Sequence, residues 1–292
     1  MSQITVIIPC YNNAAFIPRC LDSLLAQDFA DWEAICVDDG STDGSAEVLD
    51  AYAARDPRFR VIHQPNAGVS AARNAALAQV RTPSLQFVDC DDFLHPQTMS
   101  LCLGLAERDR SDVVAFTYDH AFRARFFVRK LFSLPDPRKI RFRSYHDPET
   151  LTVDDLLLQA TEYSQAGPGQ DTRWLVKHCY VTHGLFRSAC VQDIPFPPIK
   201  VYEDFPWWGE MIRRVRKATI LNLPLYFYYP NPHSVILRSR QDVKVDSLRT
   251  AIQEAELIFR DEAPERQALW ERNFLRPFRE KLAHKERKLR KA

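Results

Sequence analysis

The chain has 292 residues, 46% of them apolar, with 39 Lys and Arg against 38 Asp and Glu for a formal net charge of +1. That length is compatible with one large α/β domain or two, the apolar fraction is ample for a buried core, and the net charge excludes a global field of the kind that gathers nucleic acid. No apolar run approaches the roughly 20 residues that cross a bilayer, so any membrane contact is expected to be peripheral.

Short apolar runs at Thr5 to Ile8, Ala34 to Val37, Arg60 to Ile62 and Leu85 to Val88 read as buried strands. Helical patterns lie between them, over Ala14 to Gln27, Asp43 to Arg55 and Val69 to Val80. Strand, helix, strand at this spacing predicts βαβ units and a parallel sheet. After Pro96 the rhythm loosens. A helix from Gln97 to Arg108, a strand from Asp112 to Thr117, a capped helix from Thr152 to Glu162 and a helix from Phe205 to Arg216 follow. Two short strands, Thr219 to Leu221 and Leu225 to Tyr229, precede a tail of two helices separated at Pro264, the second interrupted at Pro277.

Ligands on parallel sheets sit outside the carboxyl ends of the strands. Polar clusters fall there: Pro9 to Asn13, Asp38 to Asp43, Gln64 to Gly68 and Asp89 to Asp92. The last ends an apolar strand in three carboxylates within four positions, Asp89, Asp91 and Asp92. It reads either as a solvated acidic turn or as a site for a hard divalent ion, Mg²⁺ or Mn²⁺, with open positions for phosphate oxygens. In Asp38-Asp39-Gly40-Ser41-Thr42-Asp43, a turn and a helix cap account for Gly40, Ser41 and Asp43. Two adjacent carboxylates at a buried strand end suit hydrogen bonds from a nucleobase imide or ribose hydroxyls.

These residues resemble the inverting glycosyltransferases of family 2, which have the GT-A fold. The resemblance runs through Val6-Ile7-Ile8-Pro9-Cys10-Tyr11-Asn12, Val37 to Asp43, Asn66 to Asn74 and Phe87 to Asp92, four motifs in order. It implies a Rossmann-like nucleotide-binding half, a mixed central sheet flanked by helices, and a C-terminal helical extension. The corresponding divisions are 1–235 for the catalytic domain (1–95 donor half, 96–235 acceptor half) and 236–292 for a basic extension. By resemblance, Pro9, Tyr11 and Asp39 line the nucleoside pocket with Asn12 and Asp38 beside them. Arg73 stands near the diphosphate, Asp89 near the ribose or sugar, and Asp91 binds the Mn²⁺ or Mg²⁺.

A second constellation is Tyr202-Glu203-Asp204-Phe205-Pro206-Trp207-Trp208. Asp204 reads either as an N-cap or as the base that takes a proton from an acceptor hydroxyl. The resemblance puts the base on Asp204, with Glu203 as the second choice. Trp207 and Trp208 are either an acceptor platform or core. Tyr228 to Ser234 looks like a loop that closes over the donor diphosphate, with His233 as a hydrogen-bond partner, a further metal ligand or simply exposed. Gln170-Asp171-Thr172-Arg173-Trp174 spells the Q-x-x-R-W of processive synthases but precedes Glu203, against that family order, so transfer of one or a few sugars is expected.

The implied function is metal-dependent, inverting transfer from a nucleotide donor, with UDP foremost, to a glycan or lipid-linked acceptor of lipopolysaccharide, capsule or another surface polysaccharide. Rival readings are a nucleotidyltransferase, whose Gly- and Arg-rich loop is missing after the first strand, and a non-catalytic nucleotide-sugar binder. Seven cysteines without a C-x-x-C pair, and no secretory signal pattern, suggest reduced thiols and a cytoplasmic protein. Eight cations between Phe122 and Arg143 face the single acid Asp136, and ten after Pro264 face four Glu. Each segment reads either as a solvated face or as a surface for an anionic partner. The basic carboxyl-terminal tail suggests contact with an anionic membrane at its inner face, whereas sparse aromatics there argue against nucleic acid.

Overall fold

The computed structural model describes residues 2–120, 149–152 and 180–290. The Q-x-x-R-W match, the basic run from Phe122 to Arg143, Cys179 and the helix expected after Thr152 lie outside them. Thr152 itself ends a short strand that the sequence pattern did not suggest.

The amino-terminal half is four βα repeats: β1 (Ile4–Cys10), α1 (Ile17–Leu25), β2 (Trp32–Asp38), α2 (Ser45–Arg55), β3 (Phe59–His63), α3 (Val69–Leu77), β4 (Ser84–Phe87), then β5 (Phe93–Leu94) and α4 (Thr98–Asp109). The carboxyl-terminal half has β6 (Val113–His120), β7 (Glu149–Thr152), β8 (Gly184–Arg187), α5 (Ser188–Val191), α6 (Asp204–Arg214), β9 (Lys217–Tyr228), α7 (Val235–Arg238), α8 (Gln241–Ile258), α9 (Pro264–Trp270) and α10 (Arg276–Leu289). One mixed sheet runs β3-β2-β1-β4-β8-β6-β9-β5, with β7 on β9. β3, β2, β1 and β4 are parallel, β8 is antiparallel to both its neighbours, and β6 and β9 are parallel.

β1 is buried at every position, as a central parallel strand must be. Pro9 is tolerated there because the ladder to β4 stops at Ile7 and Phe87, so no neighbour needs its missing N–H on that side. The two strands expected between Thr219 and Tyr229 are one. Pro224 does not end it, because the register with β6 jumps between Phe116 and Thr117 and the irregularity absorbs the proline.

The sheet's faces carry separate cores. α1, α2 and α4 cover one through Ile17, Leu21, Leu24, Leu49 and Met99. α3, α6 and the carboxyl-terminal helices cover the other through Ala72, Ala76, Trp207, Ile212, Leu248, Ile252, Trp270 and Phe274. The carboxyl-terminal helices therefore share one core with α3 and α6 rather than building their own. Phe205 of α6 stacks on Phe278 of α10 at 3.7 Å between ring centroids, and the Trp270 ring sits where a side chain at Gly209 would have to go. The irregularity expected at Pro277 takes the form of a π-helical turn over Glu271–Leu275, just before it.

Candidate active site

The loops at the carboxyl ends of the parallel strands are tied to one another. Asn12, at φ 52° in the left-handed region, accepts the Thr42 N–H at 2.7 Å, and its own N–H donates to the Ser41 hydroxyl at 3.0 Å. Asp38 accepts from the Ser41 N–H and meets His63 Nδ1. Asp39 accepts from Gln64 Nε2 at 2.6 Å, Ala67 N–H at 2.9 Å and Gly68 N–H at 2.8 Å. Both carboxylates thus have structural partners that the linear pattern concealed. Gly40 is required beside them: its φ is +72°, and a Cβ would lie 2.7 Å from Asn66 N. Tyr11 is 44% exposed above this rim, presenting an aromatic face to solvent.

Arg73 decides the geometry. α3 points it into the protein, where the residue is 4% exposed. One guanidinium nitrogen donates to Glu203 Oε1 at 2.6 Å and another to Asp89 Oδ1 at 3.0 Å. Burial alone disfavours the cation, but the charges of Asp89, Glu203 and Asp204 outweigh it and hold Arg73 protonated. The acidic strand end and the Glu203-Asp204 pair, 114 positions apart from Asp89 to Glu203, therefore meet in one site. Rather than standing open to a diphosphate, the Arg73 fork is engaged by the two carboxylates.

Glu203 is committed to that ion pair. Asp204 is the first residue of α6 and Glu203 occupies the N-cap position without a capping bond, so the cap reading of Asp204 does not hold. Among the described residues no side chain hydrogen-bonds the Asp204 carboxylate. Burial, then the charges of Glu203 and Asp89, push its carboxyl up to about 8 while Arg73 pulls the other way. A carboxylate with that affinity for protons, unpaired at a helix start, suits general-base work.

The three acids after β4 separate by environment. Asp92 is buried, accepting from the Tyr226 hydroxyl and from Tyr229 N–H at 2.7 Å, and so fastens β9 to this turn. Asp89 faces Arg73 and is 41% exposed at its side chain. Burial and then the Asp89 charge push the Asp91 carboxyl up to about 6, and a hydrogen bond from Asn231 opposes them. Asn231 Nδ2 donates at 2.8 Å to both Asp91 Oδ2 and Asn13 Oδ1, closing the loop after β9 onto the site. Among the described residues no group of three His, Cys, Asp or Glu is placed to hold a metal by itself. A pair of carboxylates, with no side chain among the described residues on Asp91 Oδ1, fits an ion such as Mg²⁺ or Mn²⁺ that takes its remaining ligands from substrate phosphates and water.

Several expectations need correction. Trp207 and Trp208, 1% and 3% exposed, belong to the core and cannot offer a face to a sugar. Trp207 stacks on Phe196 at 5.3 Å, and its Nε1 donates to Ile194 O. His233 is exposed and meets the Arg238 guanidinium, so the side chain this loop sends to Asp91 is Asn231. Arg19 was missed altogether: its guanidinium lies 3.4 Å from the Tyr229 ring centroid and donates to the Asp91 carbonyl at 3.4 Å. A lone Arg on an amphipathic helix carries no local signal for that role.

Parallel βα repeats joined to a mixed-sheet half, with acidic loops converging at the strand ends, define a protein of the GT-A class. The family model described as Glycosyl transferase family 2 matches residues 5–161. EpsJ of Bacillus subtilis, named an uncharacterized glycosyltransferase, is 32% identical over 237 residues, covering 80% of this chain and 62% of EpsJ. The chain thus spans less than two thirds of that relative. Its fold is similar to that of TarS from S. aureus crystallised with UDP-GlcNAc (TM-score 0.67, 21% identity, 91% of this chain and 69% of TarS). It is also similar to the mannosyltransferase PcManGT of Pyrobaculum calidifontis in complex with GDP-Man and Mn²⁺ (TM-score 0.58, 15% identity, 96% of this chain and 69% of that one). The chain belongs to glycosyl transferase family 2.

Proposed function

We propose that the protein is an inverting glycosyltransferase moving one sugar from a nucleotide donor, UDP-linked, to a hydroxyl of a glycan or lipid-linked acceptor in surface-polysaccharide synthesis. The observation that supports this reading is the Arg73 bridge from Asp89 to Glu203, which brings the acidic turn close to Asp204, the residue after Glu203. TarS, whose fold this chain shares, was crystallised with UDP-GlcNAc, which favours a UDP-sugar.

Asp204 accepts the acceptor's O–H proton as that oxygen bonds to the anomeric carbon. The bond from that carbon to the diphosphate breaks on the opposite face, inverting the centre and releasing the nucleoside diphosphate. Asp91, with Asp89, would hold Mn²⁺ or Mg²⁺, which when bound offsets the charge growing on the leaving diphosphate. Asn231 fixes the Asp91 carboxylate and Arg73 fixes Asp89. Tyr11 and Pro9 flank the nucleoside, and Asp38, Asp39 and Asn12 hold the loops that shape its pocket.

The test offers purified protein a panel of nucleotide sugars and follows nucleoside diphosphate release with Mn²⁺, with Mg²⁺ and with EDTA. Release from a UDP-sugar that EDTA stops and that Asp91→Ala and Asp204→Asn abolish is the expected outcome. Turnover indifferent to chelator and to both substitutions, or a product of retained anomeric configuration, contradicts the reading.

A further inference from the structure

Val235, Ile236 and Leu237 are 48%, 45% and 62% exposed, consecutive, and together form most of the one-turn helix α7. Exposed apolar residues are ordinarily scattered singly. Successive helical side chains point about 100° apart, so a flat protein partner cannot cover all three at once, whereas a fluid apolar medium can.

Cations surround this tip. α8 begins three residues after α7 and runs antiparallel to α10, as the Arg249–Glu286 and Arg279–Glu256 ion pairs register. The start of α8 therefore lies beside the end of α10. Burial, then the like charges of Lys244 and Lys288, push the Lys285 ammonium below its usual value, so the three lysines are neighbours. The acids nearby are already engaged: Asp242 by Arg240, and Asp246 and Glu286 by Arg249. Among the described residues none of the three lysines has an ion pair, and Arg287 and Arg290 are exposed at the same helix end.

We propose that α7 and this basic end form a docking surface for an anionic lipid bilayer, with Val235, Ile236 and Leu237 entering the acyl boundary and Lys244, Lys285 and Lys288 facing headgroup phosphates. Apolar insertion combined with a local basic patch is the pairing that gives reversible peripheral attachment. α7 follows directly on the Asn231 loop that closes onto Asp91, so the bilayer lies next to the candidate site. That this position would let a lipid-linked acceptor reach the site rests on the enzymatic reading; the attachment does not.

The full chain is sedimented with sucrose-loaded vesicles of phosphatidylcholine alone, or of equal parts phosphatidylcholine and phosphatidylglycerol. It should bind the anionic vesicles only, and added salt should weaken the binding. Lys244→Gln, Lys285→Gln and Lys288→Gln together should lower partitioning on the order of 100-fold. Val235→Ser, Ile236→Ser and Leu237→Ser together should lower it about tenfold or more. The triple Lys→Arg variant should retain it, and near-ultraviolet circular dichroism shows that each variant is folded. A wild type that ignores anionic vesicles, or either triple loss-of-binding variant that partitions as the wild type does, overturns the proposal. So does a concentration-dependent dimer in sedimentation velocity that the serine variant dissolves, since a second copy then covers the tip. Absent binding with intact diphosphate release removes this surface alone and leaves the glycosyltransferase reading standing.

Discussion

Replacing Arg73 with methionine removes the cation that Asp89 and Glu203 share. The Glu203 side chain is 11% exposed and that of Arg73 5%, so the substitution strands a carboxylate in the interior. Removing one partner of a buried ion pair costs about 3–5 kcal/mol. The Asp89 side chain, 41% exposed, adds little because solvent screens it. At roughly 2–4 °C per kcal/mol for a chain of this size, the melting temperature should fall by about 10 °C. Chemistry changes as well. Arg73 opposes the upward shift of Asp204 from an ordinary carboxylate to about 8, so losing it raises Asp204 further. A base works only when deprotonated, so the ascending limb of the pH–rate profile should move to higher pH. Arg73→Lys keeps a charge but cannot reach both carboxylates, and should fall between. Thermal denaturation and diphosphate release as a function of pH measure the two effects. A methionine variant that melts with the wild type and keeps its pH profile refutes the argument.

Asp204→Asn should abolish transfer, by about 10²–10⁴-fold, yet stabilise the fold at alkaline pH. The native carboxyl binds its proton more tightly when folded, so Asp204 costs no stability below its ordinary pKa of 3.8, and the cost grows as pH rises toward about 8. Melting temperatures of the two proteins should therefore coincide below the ordinary pKa of 3.8, diverge progressively as pH rises from there to about 8, and keep a constant gap above it; divergence in the opposite direction is incompatible with this sign. Asn231→Ala removes the hydrogen bond that lowers the Asp91 pKa and orients its carboxylate. The Mn²⁺ concentration for half-maximal activity should rise about tenfold or more, and an unchanged titration counts against Asp91 as ligand. Gly40→Ala places a Cβ against Asn66 N at positive φ and should cost more than about 1 kcal/mol in denaturant unfolding, with weaker donor binding as the loop after β3 loosens.

The alternating strands and helices of the first hundred residues were legible because each buried strand is a compact apolar run and each helix repeats its apolar face. The acidic turn, the Asp39 turn and the Glu203-Asp204 pair were equally visible, since local residue order alone carries their motifs. Long-range contacts could not be read this way. The continuity of β9 through Pro224 depends on a register shift in its partner β6, and the fate of Trp207 and Trp208 depends on which face of α6 the core covers. Asn231 rather than His233 reaches Asp91 because of how the loop after β9 folds back across a separation of 140 residues. Sequence by itself determined which side chains are chemically suited to a donor, a cation and a proton. The tertiary structure alone decided that Arg73 joins Asp89 to Glu203, which leaves Asp204, among the described residues, as the carboxylate no side chain hydrogen-bonds, because a buried charge is stable only where the fold supplies its partners.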